Sequence, residues 1–200
     1  MTTFTIYPIE NKKARQVVVD NHYTHMMPQA VKSCWGLFCG EEVLGVVVYS
    51  IPANRFVFSC LGLPNGWELS RAWMVDGLPN NTLSWFISTT LRAIPIEYVV
   101  SFADPQFGHV GYIYQALNFI YIGKTQPEKR YKLPDGKLIT RRSLGRKKGV
   151  SEKQDRLVLL SQGAIEFLSC PKYKYLYIRN KKARKYFLAK TNMLPYPKIN

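Results

Sequence analysis

The chain has 200 residues, of which 46% are apolar, 14% aromatic and 20% charged. That composition supplies a sizeable core and excludes both a wholly disordered chain and an acidic solvating one. Lys and Arg number 28 against 13 Asp and Glu, a formal charge of +15, and the excess is confined to one part of the chain: residues 1–120 hold 7 basic and 8 acidic residues, residues 121–200 hold 21 and 5. A neutral front joined to a strongly basic back predicts a folded catalytic core over residues 1–125 and a basic extension over residues 126–200 that packs on it and binds a polyanion. Solubility alone does not require so large an excess.

The opening MTTFTIYPIE has no basic segment followed by an apolar one, so no secretory signal is expected. The uncharged run 106–123 carries His109, Gln115, Asn118 and several glycines, which makes it a poor membrane span. Cys34, Cys39, Cys60 and Cys170 lack the paired spacing of a zinc site. Reduced thiols, a cytoplasmic location and no membrane partner are the expectation.

In chain order, residues 3–9 read as a strand, and residues 11 to about 23 as a helix with Ala14, Val17, Val18 and His22 on one face. Residues 32–39 and 43–51 form two strands around the turn Gly40-Glu41-Glu42. A strand over 68–75 follows, then a helix over 82–94 introduced by PNNT, carrying the stripe Leu83, Phe86, Ile87, Thr90, Leu91, Ile94 and stopped by Pro95. Residues 98–103 are a compact apolar strand, 108–119 a helix and 120–123 a short strand. Residues 124–156 read as a basic loop. KYKYLYIR (172–179) alternates as a strand with Lys172 and Lys174 on one face and Tyr173, Tyr175 and Tyr177 on the other, and residues 180–190 form a basic helix. Paired strands followed by alternating strands and helices predict an α/β fold, a mixed sheet with helices packed on it.

GYIYQALNFIYIG (111–123) resembles the last helix and strand of N-acetyltransferase-like (GNAT) proteins, with Tyr114 five residues before Phe119 and Asn118 where that family has glycine. The resemblance implies a GNAT-like mixed sheet, acetyl-CoA or another small donor, and Tyr114 as a general acid at the leaving group. The loop expected to cradle a pyrophosphate lacks glycines and reads PNNTLSW. Asn81, Thr82 and Ser84 at the helix start are its candidate anion-holding residues.

ELSRAW (68–73), PNNTLSWF (79–86), VVSFADPQFGHVGYIYQALNFIYIG (99–123) and LPYPK (194–198) resemble the Mom family of phage DNA-modifying proteins. The resemblance implies conversion of the adenine N6 amine in double-stranded DNA to a carbamoylmethyl-amino group, shielding phage DNA from restriction. It also implies a His22–Tyr23 pair in the active site. A carbamoylmethyl group is joined through its methylene, so plain attack on a thioester carbonyl does not make it. A redox metal is one route, and His22, His25 and Asp104 are candidate ligands for iron(II). The spacing of His22 and His25 suits one helical face if the helix runs that far.

Asp104 and His109 complete the candidate catalytic set, Asp104 lying at the end of a central strand, where open sheets place their sites. Glu68 and Arg71 are three apart in one strand and are expected on opposite faces, with Ser70 on the side of Glu68. Trp85, Phe107 and Tyr112 are candidates to stack on an extruded adenine. Arg141, Arg142, Arg146, Lys147, Lys148, Lys172, Lys174, Lys181, Lys182, Arg184 and Lys185 are the candidate DNA contacts. The rival expectations are an N-acyltransferase for a small-molecule or peptide amine and an inert DNA-binding protein on the same scaffold.

Overall fold

The computed structural model describes residues 3–140 and 151–198. Its strands and helices are, in chain order, β1 (Phe4–Pro8), α1 (Asn11–Asn21), β2 (Val31–Cys39), β3 (Glu42–Ser50), β4 (Trp67–Met74), α2 (Thr82–Ala93), β5 (Tyr98–Ala103), α3 (Tyr112–Ala116) and β6 (Ile120–Lys124). They continue as β7 (Lys129–Lys132), β8 (Leu138–Thr140), α4 (Glu152–Ser161), β9 (Ile165–Leu168), β10 (Tyr173–Ile178) and α5 (Lys181–Lys190). The chain divides into two compact units. One holds Met1–Ala103, Val110–Gly123 and Tyr173–Asn200; the other holds Asp104–His109 and Lys124–Lys172.

The first unit is built on a 7-stranded mixed sheet in the order β1-β2-β3-β4-β5-β10-β6. Strands β1 to β4 pair antiparallel in sequence, β4 meets β5 in parallel, and β10 returns antiparallel to β5. Both faces of the sheet are covered, which is why β3 and β5 read as nearly continuous apolar runs. On one face Val47, Tyr49, Leu69, Val99 and Tyr175 pack against Phe86, Ile87 and Leu91 of α2. On the other, Val46 and Val48 meet Ala14 and Val18 of α1, while Val100, Leu176 and Ile178 meet Phe187 of α5. Each such side chain withdrawn from water contributes roughly 1.5–3 kcal/mol before entropy is counted. Arg179 closes the C-terminus of α2, its guanidinium donating to the Leu91 carbonyl at 2.8 Å and to the Ile94 carbonyl.

The second unit has a three-stranded antiparallel sheet, β8-β7-β9, with α4 on it. Tyr131, Leu159 and Ala164 form its small core. Helix α4 starts with a reciprocal cap between Ser151 and Gln154, and Arg156 pairs with Glu166 at 2.7 Å.

Four expectations are corrected here. Helix α1 stops at Asn21, and His22 is already extended with ψ 137, so His22 and His25 do not share a helical face. The expected helix over 108–119 is a 3-10 turn at Pro105–Phe107 followed by the five residues of α3. Gly108 and Gly111, at φ 73 and 87, bar helical geometry before Tyr112, and Asn118 at φ 58 ends it. The supposed loop 124–156 contains β7, β8 and the start of α4. Residues 126–200 are not one extension either, because β10 and α5 belong to the first unit.

Candidate active site

The parallel pairing of β4 with β5 is confined to Trp67 opposite Val99 and Glu68 opposite Val100. Just beyond it, the Ser101 hydroxyl donates to the Leu69 carbonyl at 2.8 Å, a side-chain bond where a ladder bond would otherwise stand. Past that point the ladder stops and the strands part. Polar groups gather around this wedge. The Tyr114 phenol is buried beside it, and burial, partly countered by the Ser101 hydroxyl, pushes its pKa up to about 12. A phenol so placed keeps its proton at any physiological pH and can act as a donor. Its ring is fixed by Phe119 at 5.4 Å and Tyr175 at 5.2 Å.

Tyr175 is held in turn by Gly111, where a Cβ would meet its ring at 2.4 Å, and by its hydroxyl bonds to the Val110 carbonyl and Gln115. Gln115 also donates to the Pro197 carbonyl at 3.3 Å, and the Tyr196 hydroxyl donates to the Phe119 carbonyl at 2.6 Å. The closing LPYPK is therefore a strap over α3 and β6.

Strand β4 carries a bulge. Val48 pairs with Arg71 but Tyr49 pairs with Leu69, leaving Ser70 as the extra residue. One inserted residue reverses the alternation, so Glu68 and Arg71 share a face and the expectation of opposite faces is corrected. Ser70 instead shares a 2.5 Å hydrogen bond with buried Ser50. Burial lowers the pKa of Arg71, while the charge of Glu68 acts against that shift. The guanidinium donates through Nε to the Met26 carbonyl at 2.8 Å and through Nη1 to the Ser70 carbonyl at 2.6 Å. Arg71 thus ties the loop after α1 to the sheet. That loop presents His22, buried and tilted against Tyr23 with ring centroids 4.3 Å apart. The Thr24 N–H donates to His22 Nδ1 at 3.2 Å, and the Thr24 hydroxyl lies 2.9 Å from the same nitrogen. A charged residue in the middle of WELSRAWM was the available signal for Arg71; nothing in the sequence marked Ser101.

At the N-terminus of α2 lies a cavity of about 350 Å³ lined by Leu78, Asn80, Leu83, Tyr112, Ile113 and Ala116 among others. A neighbouring one of about 490 Å³ is lined by Phe4, Pro79, Thr82 and Trp85. The Thr82 hydroxyl donates to the Pro79 carbonyl at 2.7 Å and the Ser84 hydroxyl to the Asn81 carbonyl at 2.8 Å. Both expected anion-holding hydroxyls therefore have their protons turned inward, and Asn81 caps nothing with its side chain. Trp85 and Tyr112 are 44% and 56% exposed on these cavity walls.

In the second unit, Asp104 is buried. Its Oδ1 accepts the Gln106 N–H at 3.1 Å and its Oδ2 lies 2.9 Å from Lys172 Nζ. His109 is exposed, with its backbone N–H on the Asp104 carbonyl, and Phe107 is exposed. Lys172, an expected DNA contact, is thus engaged by a carboxylate. Lys174 is half-buried in β10, Lys181, Lys182 and Lys185 are exposed on α5, and Arg184 is half-buried. Arg141, Arg142, Arg146, Lys147 and Lys148 lie outside the described residues.

His25 turns its Nδ1 to the Val19 carbonyl at 2.8 Å, and among the described residues no group of three or more His, Cys, Asp or Glu side chains is placed to hold a metal ion. Among the described residues no helix is long and apolar enough to cross a membrane.

Comparison with known proteins agrees with this architecture. An agmatine N-acetyltransferase superimposes with a TM-score of 0.53 at 9% identity, covering 88% of this chain and 100% of that one. NAA60 of Arabidopsis thaliana superimposes with a TM-score of 0.51 at 12% identity, covering 88% and 98%. These likenesses show the GNAT acetyltransferase fold. In sequence, the chain is 30% identical over 195 residues to methylcarbamoylase Mom of Escherichia phage Mu, covering 92% of this chain and 80% of that protein. The Mom protein family model matches residues 3–198. From Thr3 to Lys198, through the wedge, the bulged strand and the closing strap alike, this chain belongs to the Mom protein family.

Proposed function

We propose that this protein is a transferase that converts the N6 amine of adenine in double-stranded DNA to a carbamoylmethyl-amino group and so protects phage DNA from restriction. The name of the phage Mu relative, a methylcarbamoylase, supports the transferred group. The observation that carries the reading is the protonated Tyr114 phenol, packed against Phe119 and Tyr175 beside Ser101, where the pairing of β4 with β5 ends. To attach the group through its methylene, the donor is an activated carbamoylmethyl compound, X–CH2–CO–NH2: the N6 lone pair forms the new bond to the methylene carbon as the C–X bond breaks, X departs with that electron pair, and the proton released from N6 restores the Tyr114 phenol. Tyr114 protonates the leaving group. Arg71 positions the His22–Tyr23 loop, and its cation with Glu68 sets the charge at the acceptor side. Because N6 takes part in base pairing, the adenine leaves the stack before it reacts, at a cost of a few kcal/mol.

Nucleosides from the DNA of cells making the protein test this reading. A new adenine-derived species heavier by a carbamoylmethyl group is expected with the parent and absent with Tyr114→Phe. Unmodified adenine alone, from cells with abundant folded protein, overturns it. Thiol release from acetyl-CoA with simple amines would mark an N-acyltransferase instead.

A further inference from the structure

We propose that the outward face of α5 docks on the phosphate backbone of duplex DNA, apart from the wedge that takes the base. This rests on the reading of DNA as substrate. Lys181, Lys182, Lys185, Tyr186 and Lys190 are exposed, while Phe187 is buried among Leu176, Ile178 and Val57. The exposed residues follow helical spacing and make one face. From Lys181 to Lys190 that face rises about 14 Å, the axial length of about four base pairs.

Three observations make the face more than a solvated charge run. Residues 173–200 hold eight basic residues and no acidic one, so no carboxylate side chain neighbours α5 in sequence. Lys181 and Lys182 stand in the first turn, where the helix dipole makes cations unfavourable, and Lys181 and Lys185 repel at one-turn spacing. The fold overcomes that cost: Asn180 accepts the backbone N–H groups of Lys182 and Ala183 at 2.8 and 3.1 Å, and Phe187 anchors the helix to the sheet. A row of anions reverses the sign of both penalties. Lys190 Nζ lies 4.3 Å from the centre of the Tyr186 ring, so this one exposed aromatic braces a cation on the same face. A lipid surface fits poorly, because the apolar side of α5 is already spent on the core.

The test is binding of the full chain to a short DNA duplex across a salt series, with Lys181, Lys182, Lys185 and Lys190 changed together to Gln. The slope of log affinity against log salt is expected to fall by about 3.6, at about 0.9 per lost phosphate contact, and equally for unrelated duplex sequences. The same positions changed to Arg are expected to keep the parent slope. An unchanged slope in a variant with parental circular dichroism overturns the proposal, as does tighter binding to duplex RNA or to phosphatidylserine vesicles. If the fourfold variant does not fold, Lys182→Gln with Lys185→Gln is expected to lower the slope by about 1.8, and no change there overturns the proposal equally. The two readings fail separately. A parent that binds DNA through these lysines yet leaves adenine unmodified refutes only the reaction; a variant that keeps the parent slope and modifies DNA refutes only the docking face.

Discussion

Lys172 Nζ stands 2.9 Å from Oδ2 of Asp104, and the carboxylate it meets is 3% exposed. With Oδ1 on the Gln106 N–H, both oxygens have structural partners. Asp104→Asn leaves Lys172 uncompensated. Removing one partner of a buried pair costs roughly 3–5 kcal/mol, and the half-exposed lysine reduces that to about 1–3 kcal/mol. Urea denaturation is expected to show this loss, with partial recovery in Asp104→Asn/Lys172→Met. Parental stability of the single variant would refute the pairing.

Tyr114→Phe keeps the ring against Phe119 and Tyr175 and removes only the hydroxyl. Stability is expected to change by no more than about 1.5 kcal/mol, since one hydrogen bond is lost. Adenine modification is expected to fall about a hundredfold or more, the range for a lost general acid. Full activity in this variant would leave the tyrosine as packing alone.

Arg71→Lys replaces a forked donor by a single ammonium that cannot serve both the Met26 and Ser70 carbonyls. The expected results are faster hydrogen exchange over residues 22–27, a loss of about 1–2 kcal/mol, and modification reduced by more than the stability loss explains. Unchanged exchange over that loop would detach Arg71 from its positioning role.

Alkaline pH tests the buried tyrosines together. Burial raises Tyr49, and carries Tyr114 and Tyr175 to about 12, above the ordinary value of 10.0. The folded chain then keeps protons that the unfolded chain releases. Their contribution is complete below the unfolded value and is lost as pH rises through the folded values, at up to about 1.4 kcal/mol per pH unit per fully shifted group. Stability measured by denaturant is expected to fall between pH 10 and about 12, with the phenolate absorbance of these three tyrosines, of 13 in the chain, delayed until unfolding. A flat profile over that window would contradict the burial of these hydroxyls.

Trp85 is expected to contact the extruded base. With 2-aminopurine at the target position, binding should raise fluorescence in the parent, and Trp85→Ala should weaken binding by about 1–3 kcal/mol as a stacking partner is lost. Absence of a fluorescence rise in the parent excludes extrusion.

Much of the sheet could be read from residue alternation, because strands buried on both faces, such as β3 and β5, are apolar throughout. The wedge could not. It depends on where β4 and β5 stop pairing, and neither strand's composition records that. Glu68 and Arg71 came out on the wrong faces because a single bulged residue, Ser70, is invisible to a period of two. The strands of the second unit escaped notice because KRYK turns only Tyr131 inward. Residues 108–111 resemble the start of a helix because an apolar stripe follows them, and only the positive φ of Gly108 and Gly111 forbids it.

The place of β10 between β5 and β6 has a consequence for how the chain is made. Strand β6 leaves the ribosome well before the strand that must lie beside it, and β5 likewise waits with one edge open. Pairing over so long a stretch of sequence is slow, and open strand edges recruit other chains while they wait. Strand β10 therefore seals the sheet: its emergence, rather than synthesis of the residues around the wedge, sets the moment at which this protein can begin to work.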